Sequence, residues 1–201
     1  MNVYDFDNTI YDGESVFDFY LYSVRRQPGL IRYFFVVLGT LIRYKLCCIT
    51  AEEFEKIAKK HAKNYLLRVR DLDGLIKKFW DKNQHKIKPF YKAAMREDDV
   101  IISASVNVLL EELFSRIGIK HYITSKVDKR SGEVLEICYR KNKVSLFRRD
   151  FPDGQIDNFY TDSKNDAAMM QLAKKTYLVK GEKITLLDAK DFDKLTQKYA
   201  K

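Results

Sequence analysis

The chain has 201 residues, enough for one domain with an insertion, and its 46% hydrophobic and 32% charged content is ordinary for a globular protein. A net charge of +9 favours anionic partners, but no zinc finger, helix-turn-helix or aromatic–basic platform supports nucleic-acid binding. The three cysteines lack CxxC spacing and the three histidines are isolated, which argues against zinc and predicts reduced thiols. No segment resembles a signal peptide, so we expect a cytoplasmic protein.

Two aspartates stand one residue apart in the first ten residues, at the end of a short predicted strand. Residues two apart on a strand point the same way, so Asp5 and Asp7 can reach one crevice at the carboxyl edge of a sheet. Two converging carboxylates repel each other, and a divalent cation relieves that repulsion. These ten residues alone are equally compatible with solvated acids on an ordinary strand.

Residues 14 to about 90 have helical periodicity and almost no strand pattern. Within them, segment 30–48 contains an uninterrupted apolar stretch over 33–42, shorter than the ~20 residues needed to cross a bilayer. Basic residues flank this stretch, including Arg32 and Arg43. The segment is therefore either a buried helix or an interfacial helix that contacts anionic lipid.

The second half of the chain alternates predicted strands with predicted helices. Strands are predicted over 99–103, 122–124, 126–129, 133–139, 158–161, 177–179 and 184–187, and helices over 106–117, 144–149, 166–174 and 189–199. Ser131 and Gly132 are predicted to form a hairpin turn. This alternation predicts an α/β fold with a Rossmann-like parallel sheet and helices on both faces. The core is then 1–13 and 91–201, and 14–90 is an inserted helical cap.

Further polar residues follow the first acidic motif in a defined order. The full set is Asp5, Asp7, Thr9, Ser103, Lys143, Asp162 and Asp166. Together these residues resemble the haloacid dehalogenase (HAD) superfamily, and within it the phosphoserine phosphatase-like branch, over about residues 1–20 and 98–180. That branch inserts a small helical cap between its first two strands. The apolar segment 30–48 is also similar to that of phosphatases acting on phosphatidylglycerophosphate.

The resemblance implies a Mg2+-dependent phosphomonoester hydrolase. Asp5 is then the nucleophile that forms an aspartyl-phosphate, and Asp7 is the general acid and base. The implied metal oxygens come from Asp5, the backbone carbonyl of Asp7, and Asp162. Asp166 holds a metal-bound water or Lys143, or serves as a further ligand. An acid at Asp7 favours phosphoester hydrolysis over the dehalogenases of the superfamily, which lack one there.

The remaining site residues leave alternatives open. Ser103 is expected to bind a phosphoryl oxygen, with Ser105 as the competing candidate, and either serine could instead cap a helix. Lys143 is the expected phosphate-binding lysine and Lys141 the alternative. Where the family often has a glycine, this chain has Arg140. Thr9 is expected to fix its loop through side-chain to backbone bonds.

The substrate implied is a lipid phosphate or a small phosphorylated metabolite, with peripheral contact to an anionic membrane and no nucleic acid. Two alternatives share the same residues. One is a non-catalytic protein that binds phosphate or lipid. The other is a phosphotransferase or mutase that passes the phosphoryl group to a sugar instead of water.

Overall fold

The computed structural model describes residues 1–46, 48–188 and 191–192. The strands are β1 (Asn2–Tyr4), β2 (Val100–Val106), β3 (His121–Val127), β4 (Val134–Glu136), β5 (Ile156–Thr161), β6 (Ala173–Lys180) and β7 (Lys183–Leu186). The α-helices are α1 (Ser15–Arg26), α2 (Ile31–Lys45), α3 (Ala51–Arg68), α4 (Leu72–Asn83), α5 (Pro89–Ala94), α6 (Asn107–Ile117), α7 (Lys141–Asp150) and α8 (Ala167–Met170). Short 3-10 helices lie at Pro28–Leu30, Gln84–Lys86 and Lys164–Asp166.

One sheet contains the described strands in the order β4-β3-β2-β1-β5-β6-β7. The five central strands are parallel, which confirms the Rossmann-like α/β fold. The prediction of a parallel sheet is wrong at the far edge, where β7 is antiparallel to β6. A tight turn at Gly181, with φ of 58°, leads directly from one strand to the other, whereas a parallel neighbour needs a crossover of a dozen or more residues.

The predicted hairpin after β3 is confirmed. Gly132 has φ of 69° in the turn, and β4 returns antiparallel to β3. The predicted helix over 166–174 is correct only at its start, because α8 ends at Met170 and Ala173 already pairs with Ile156 of β5. Residues 173–174, which helical periodicity alone assigned to the helix, belong instead to strand β6. The predicted helix over 189–199 lies outside the described residues, apart from 191–192.

Strand side chains alternate between two hydrophobic clusters, one on each face of the sheet. Tyr4 and Ile101 contribute to the cluster that includes α1, α4 and α6. Val3 and Val100 point to the other face, where α7 and α8 pack. On the first face, the Trp80 indole N–H donates to the Leu109 carbonyl at 2.7 Å, which links α4 to α6. Helices therefore cover both faces of the sheet, as predicted.

The apolar helix α2 is only partly buried. Tyr33 and Thr40 face inward, each 8% exposed. Phe35 is 63% exposed, and further apolar side chains on α2 also reach the surface: Ile31, Phe34, Val37, Leu38 and Ile42. Among the described residues, no helix combines the length and apolar character required to span a membrane.

Candidate active site

The loop between β1 and α1 places two aspartates at the carboxyl edge of the sheet. Asp5 continues the strand, because its backbone N–H donates to the Tyr160 carbonyl of β5 at 2.9 Å. The chain then turns at Asn8, which has a left-handed φ of 57°, and the Asn8 N–H donates to the Gly13 carbonyl at 3.0 Å. Asp5 is buried and Asp7 is half-buried, so both carboxylates are largely withdrawn from bulk water.

A buried lysine contacts Asp5 from the other side of the sheet edge. Lys143 Nζ donates to Asp5 Oδ1 at 2.9 Å and lies 2.8 Å from Asp166 Oδ1, and its side chain is only 3% exposed. Lys141, the alternative, is exposed. Lys143 reaches the site from the first turn of α7, and that helix begins directly after Arg140. The φ of Arg140 is 50°, a backbone conformation that favours glycine. The backbone thus adopts at Arg140 the conformation expected where the resembled family often has glycine.

Asp166 uses both of its carboxylate oxygens within the protein. Oδ1 faces Lys143, and Oδ2 accepts a hydrogen bond of 2.8 Å from the hydroxyl of Thr161, the last residue of β5. Of the three roles considered for Asp166, the structure shows the contact with Lys143. Sequence reasoning missed Thr161, although a hydroxyl at the end of a core strand was the signal used for Ser103.

Asp7 is held by two donors from different parts of the chain. Ser105 Oγ donates to Asp7 Oδ2 at 2.5 Å, and the backbone N–H of Ser15 donates to Oδ1 at 2.6 Å. The two serine hydroxyls also lie 3.1 Å apart. Burial raises the pKa of Asp7, although both serines oppose that rise. Asp7 therefore holds a proton more readily than an exposed aspartate does. Sequence reasoning missed Ser15, whose position at a helix start was its only local signal.

The two candidate serines have different contacts. Ser103 is 1% exposed, and its hydroxyl oxygen accepts the Ser105 N–H at 3.0 Å, which leaves its own proton available to donate. The Ser105 hydroxyl instead donates its hydrogen bond to Asp7. A shift in register between Ser103 and Val106 separates these two positions on β2.

Thr9 joins the two acidic loops. Its side chain is fully buried, and its hydroxyl oxygen accepts the backbone N–H of Asp162 at 2.9 Å. This is the side-chain to backbone bond expected from the sequence, although its partner lies 153 residues away in the chain. The bond holds Asp162, which follows β5, beside the loop that carries Asp5 and Asp7.

A second buried lysine supports the same loop. Lys88 is 2% exposed, and its Nζ donates to the carbonyls of Asn8 at 2.5 Å and Gly181 at 2.9 Å. It therefore ties the turn after Asp7 to the β6–β7 turn. No local pattern distinguishes Lys88 from the many surface lysines of the chain, so sequence reasoning missed it.

The site has more negative than positive charge. Burial raises the pKa of Asp5, although the Lys143 ammonium opposes the rise. The charges of Asp166 and Asp7 raise that pKa further. Burial by itself would lower the pKa of Lys143, but its two carboxylate partners raise it, so Lys143 stays charged. Burial also raises the pKa of Asp162, and the charge of Asp166 adds to the rise.

The oxygen donors of the site fit a magnesium ion. No group of three or more His, Cys, Asp or Glu side chains in the described part of the chain is arranged to hold a metal, and the set implied above contains only two carboxylates, Asp5 and Asp162. The Asp5 carboxylate accepts one hydrogen bond among the described residues, from Lys143 at Oδ1, so lone pairs on both of its oxygens remain for a metal ion and a substrate. Hard oxygens, excess negative charge and few protein ligands suit Mg2+, which usually keeps several waters.

Comparison with known proteins identifies the family. Haloacid dehalogenase-like hydrolases match residues 3–171. A protein of unknown function from Bordetella pertussis Tohama I has a TM-score of 0.63 at 17% identity, with 88% of this chain and 87% of that chain covered. A phosphoserine phosphohydrolase-like protein from Francisella tularensis has a TM-score of 0.53 at 14% identity, covering 88% and 86%.

A probable phosphoserine phosphatase from Vibrio cholerae has a TM-score of 0.57 at 12% identity, with 87% of this chain and 55% of that chain covered. This chain therefore spans little more than half of the Vibrio protein. No curated protein matched the sequence. At these identities the three structures share the fold alone, whereas the family match extends over most of the chain. The chain belongs to the haloacid dehalogenase-like hydrolase family.

Proposed function

We propose that this protein is a Mg2+-dependent phosphomonoester hydrolase that works through an aspartyl-phosphate on Asp5. One observation carries the proposal: Lys143 contacts the buried Asp5 at the sheet edge where Asp7 is held by its own donors. We propose that residues 14–90 form a cap beside this site and that 1–13 with 91–201 form the core. The family membership supports a hydrolase, and the Vibrio neighbour is itself described as a probable phosphoserine phosphatase.

In the first step, Asp5 Oδ2 attacks the phosphorus of a phosphate monoester. The bond from phosphorus to the ester oxygen breaks, and the leaving alkoxide takes the proton of Asp7. In the second step, Asp7 takes a proton from water, and the resulting hydroxide attacks phosphorus. The acyl-phosphate bond then breaks, releasing inorganic phosphate and restoring the Asp5 carboxylate. The pKa of Asp7, raised by burial, suits the protonated state that the first step needs.

The neighbouring residues orient the Asp5 carboxylate and neutralise the charge of the phosphoryl group. Lys143 holds Asp5 Oδ1, which directs Oδ2 towards the substrate, and its charge offsets that of the phosphoryl group. Ser103 has a free proton to donate to a phosphoryl oxygen. Bound Mg2+, held by Asp5, Asp162 and the backbone carbonyl of Asp7, would supply further neutralisation of the phosphate charge.

We further propose that the substrate is a lipid phosphate or a small phosphorylated metabolite and that the protein works in the cytoplasm, in peripheral contact with anionic membrane. The exposed Phe34, Phe35 and Val37 of α2 support the membrane contact. Cys48 and Cys138 are free thiols, which supports a reducing compartment.

The test is Asp5→Asn, compared with Asp12→Asn, which changes an exposed aspartate of the same loop. Phosphate release from a panel of phosphorylated metabolites and lysophospholipids should vanish in Asp5→Asn and persist in Asp12→Asn. Beryllofluoride should form an adduct with the wild type and with Asp12→Asn but not with Asp5→Asn. Substantial turnover by purified Asp5→Asn would disprove the nucleophile. Product in which the phosphoryl group is attached to an added alcohol or sugar would instead identify a phosphotransferase.

A further inference from the structure

Four arginines line a cleft on the helical region, well away from the sheet edge. Arg26 ends α1, Arg32 lies in the first turn of α2, Arg68 ends α3, and Arg70 lies between α3 and α4. The cleft has a volume of about 360 Å³, and the 3-10 turn Pro28–Leu30 forms part of its lining. We call it the arginine cleft.

The arginine cleft is built by hydrogen bonds between two turns. The Gln27 side chain donates to the Arg70 carbonyl at 2.9 Å and accepts the Arg70 N–H at 3.0 Å. Arg26 stacks over the Tyr22 ring at 3.5 Å, and Arg32 donates to the Tyr33 hydroxyl at 3.2 Å. Two of the four guanidinium groups are therefore held in place before any ligand arrives.

The four guanidinium groups have no acidic partner in the described part of the chain. None of them forms an ion pair there, whereas Arg116 pairs with Asp81 and Glu112, and Arg149 pairs with Glu136. Four positive charges around one concavity repel each other, and an anion with several oxygens relieves that repulsion. Guanidinium groups bind phosphate oxygens in a bidentate manner, so a phosphate ester is the anion that this lining suits best.

The arginine cleft is separate from the catalytic carboxylates. Ser15, at the start of α1, contacts Asp7, whereas Arg26 lies at the other end of that helix. Eleven residues of α-helix correspond to about 16 Å. A phosphate in the cleft is therefore too far from Asp5 to be the group that is hydrolysed.

The cleft instead adjoins the exposed apolar surface of α2. Arg32 is the second residue of that helix, and the exposed Phe34 and Phe35 follow within one turn. A bilayer that buried these side chains would bring its headgroups level with the arginines. Binding of a soluble phosphate ester would not account for the exposed apolar side chains on the helix that adjoins the cleft.

We infer that the arginine cleft binds the phosphate of an anionic phospholipid headgroup while the apolar surface of α2 enters the bilayer interface. This inference rests on the membrane contact in the proposed function and does not depend on Asp5 chemistry. It assigns an anchoring site to the helical region, distinct from the site of phosphate transfer.

The test compares Arg68→Gln/Arg70→Gln with Lys175→Gln/Lys183→Gln, which removes the same charge from exposed positions on β6 and β7. The side chains of Arg68 and Arg70 make no hydrogen bond to another described residue, so folding should survive. Co-sedimentation uses phosphatidylcholine vesicles with and without phosphatidylglycerol. The wild type should bind only the anionic vesicles. The arginine variant should bind them roughly 30-fold more weakly, and the lysine variant less than about 3-fold more weakly.

Two results would overturn the inference. Equal vesicle binding by the arginine and lysine variants would mean that the cleft is not the anchor. If Phe35→Ser then lost vesicle binding, only the membrane contact of α2 would remain supported. Absence of wild-type vesicle binding would exclude a lipid headgroup as the ligand of the cleft. Arginine-dependent calorimetric binding of glycerol 3-phosphate in that case would assign the cleft to a soluble ester. Phosphate release from a water-soluble substrate, measured in parallel, tests the proposed function separately.

Discussion

Replacing Lys143 with methionine should destabilise the protein strongly. The ammonium is 3% exposed and lies within 3 Å of two carboxylates, so its loss leaves Asp5 and Asp166 buried together without a cation. Removing one partner of a buried ion pair costs about 3–5 kcal/mol. For a chain of this size, that corresponds to a fall in Tm of roughly 6–20 °C.

The matched control is Lys141→Met, on the same turn of α7 but exposed, which should change the free energy of unfolding by less than about 0.5 kcal/mol. Both variants are unfolded in urea, in EDTA, and followed by circular dichroism. The double variant Lys143→Met/Asp166→Asn should recover part of the loss, because it removes one of the two repelling charges.

The deficit of Lys143→Met should depend on pH with a definite sign. The folded pKa of Lys143 is raised, so its stabilisation is complete below the ordinary value of about 10.4 and is lost only as pH rises beyond it. Burial raises the pKa of Asp5 to about 8 even beside Lys143, and without the ammonium nothing opposes a further rise, so Asp5 of the variant stays protonated to a higher pH. The stability deficit of Lys143→Met should therefore be largest above pH 8 and smaller at pH 6. A deficit under about 1 kcal/mol at pH 9 would refute a buried ion pair there.

Three other perturbations address the same site. Asp7→Asn should lower turnover by about 10²–10⁴-fold. The variant should also change how stability depends on pH. Burial raises the folded pKa of Asp7, so its proton stabilises the protein in acid and that stability is lost as pH rises. In EDTA the variant should accordingly exceed the wild type in urea stability at pH 8 but not near pH 3.5, and a lower stability at pH 8 would contradict the raised pKa. Lys88→Met leaves the carbonyls of Asn8 and Gly181 without the lysine donor, so it should lower the free energy of unfolding by about 1–3 kcal/mol. Turnover should fall as well. Thermal unfolding and phosphate release measure the two effects, and an unchanged Tm would show that the contact is dispensable. EDTA should abolish phosphate release, Mg2+ should restore it and Ca2+ should inhibit, whereas full activity after exhaustive metal removal would exclude the metal role.

Local patterns in the sequence determined the element types and the family resemblance. Short hydrophobic runs identified the core strands, and helical periodicity identified the region between β1 and β2, because both depend on near neighbours in the chain. The spacing of Asp5 and Asp7 predicted a shared crevice for the same reason. These predictions needed no knowledge of which distant segments meet.

Contacts between distant segments were decided only by the tertiary structure. Lys143 rather than Lys141 reaches Asp5 because of the way α7 packs on the sheet, across 138 residues of sequence. Lys88 and Ser15 look like ordinary surface residues until the loops fold around them. Periodicity also could not show that α2 keeps an apolar face exposed, because burial depends on whether another element covers that face. Sequence patterns report which side chains could share a surface, whereas packing determines which surfaces meet.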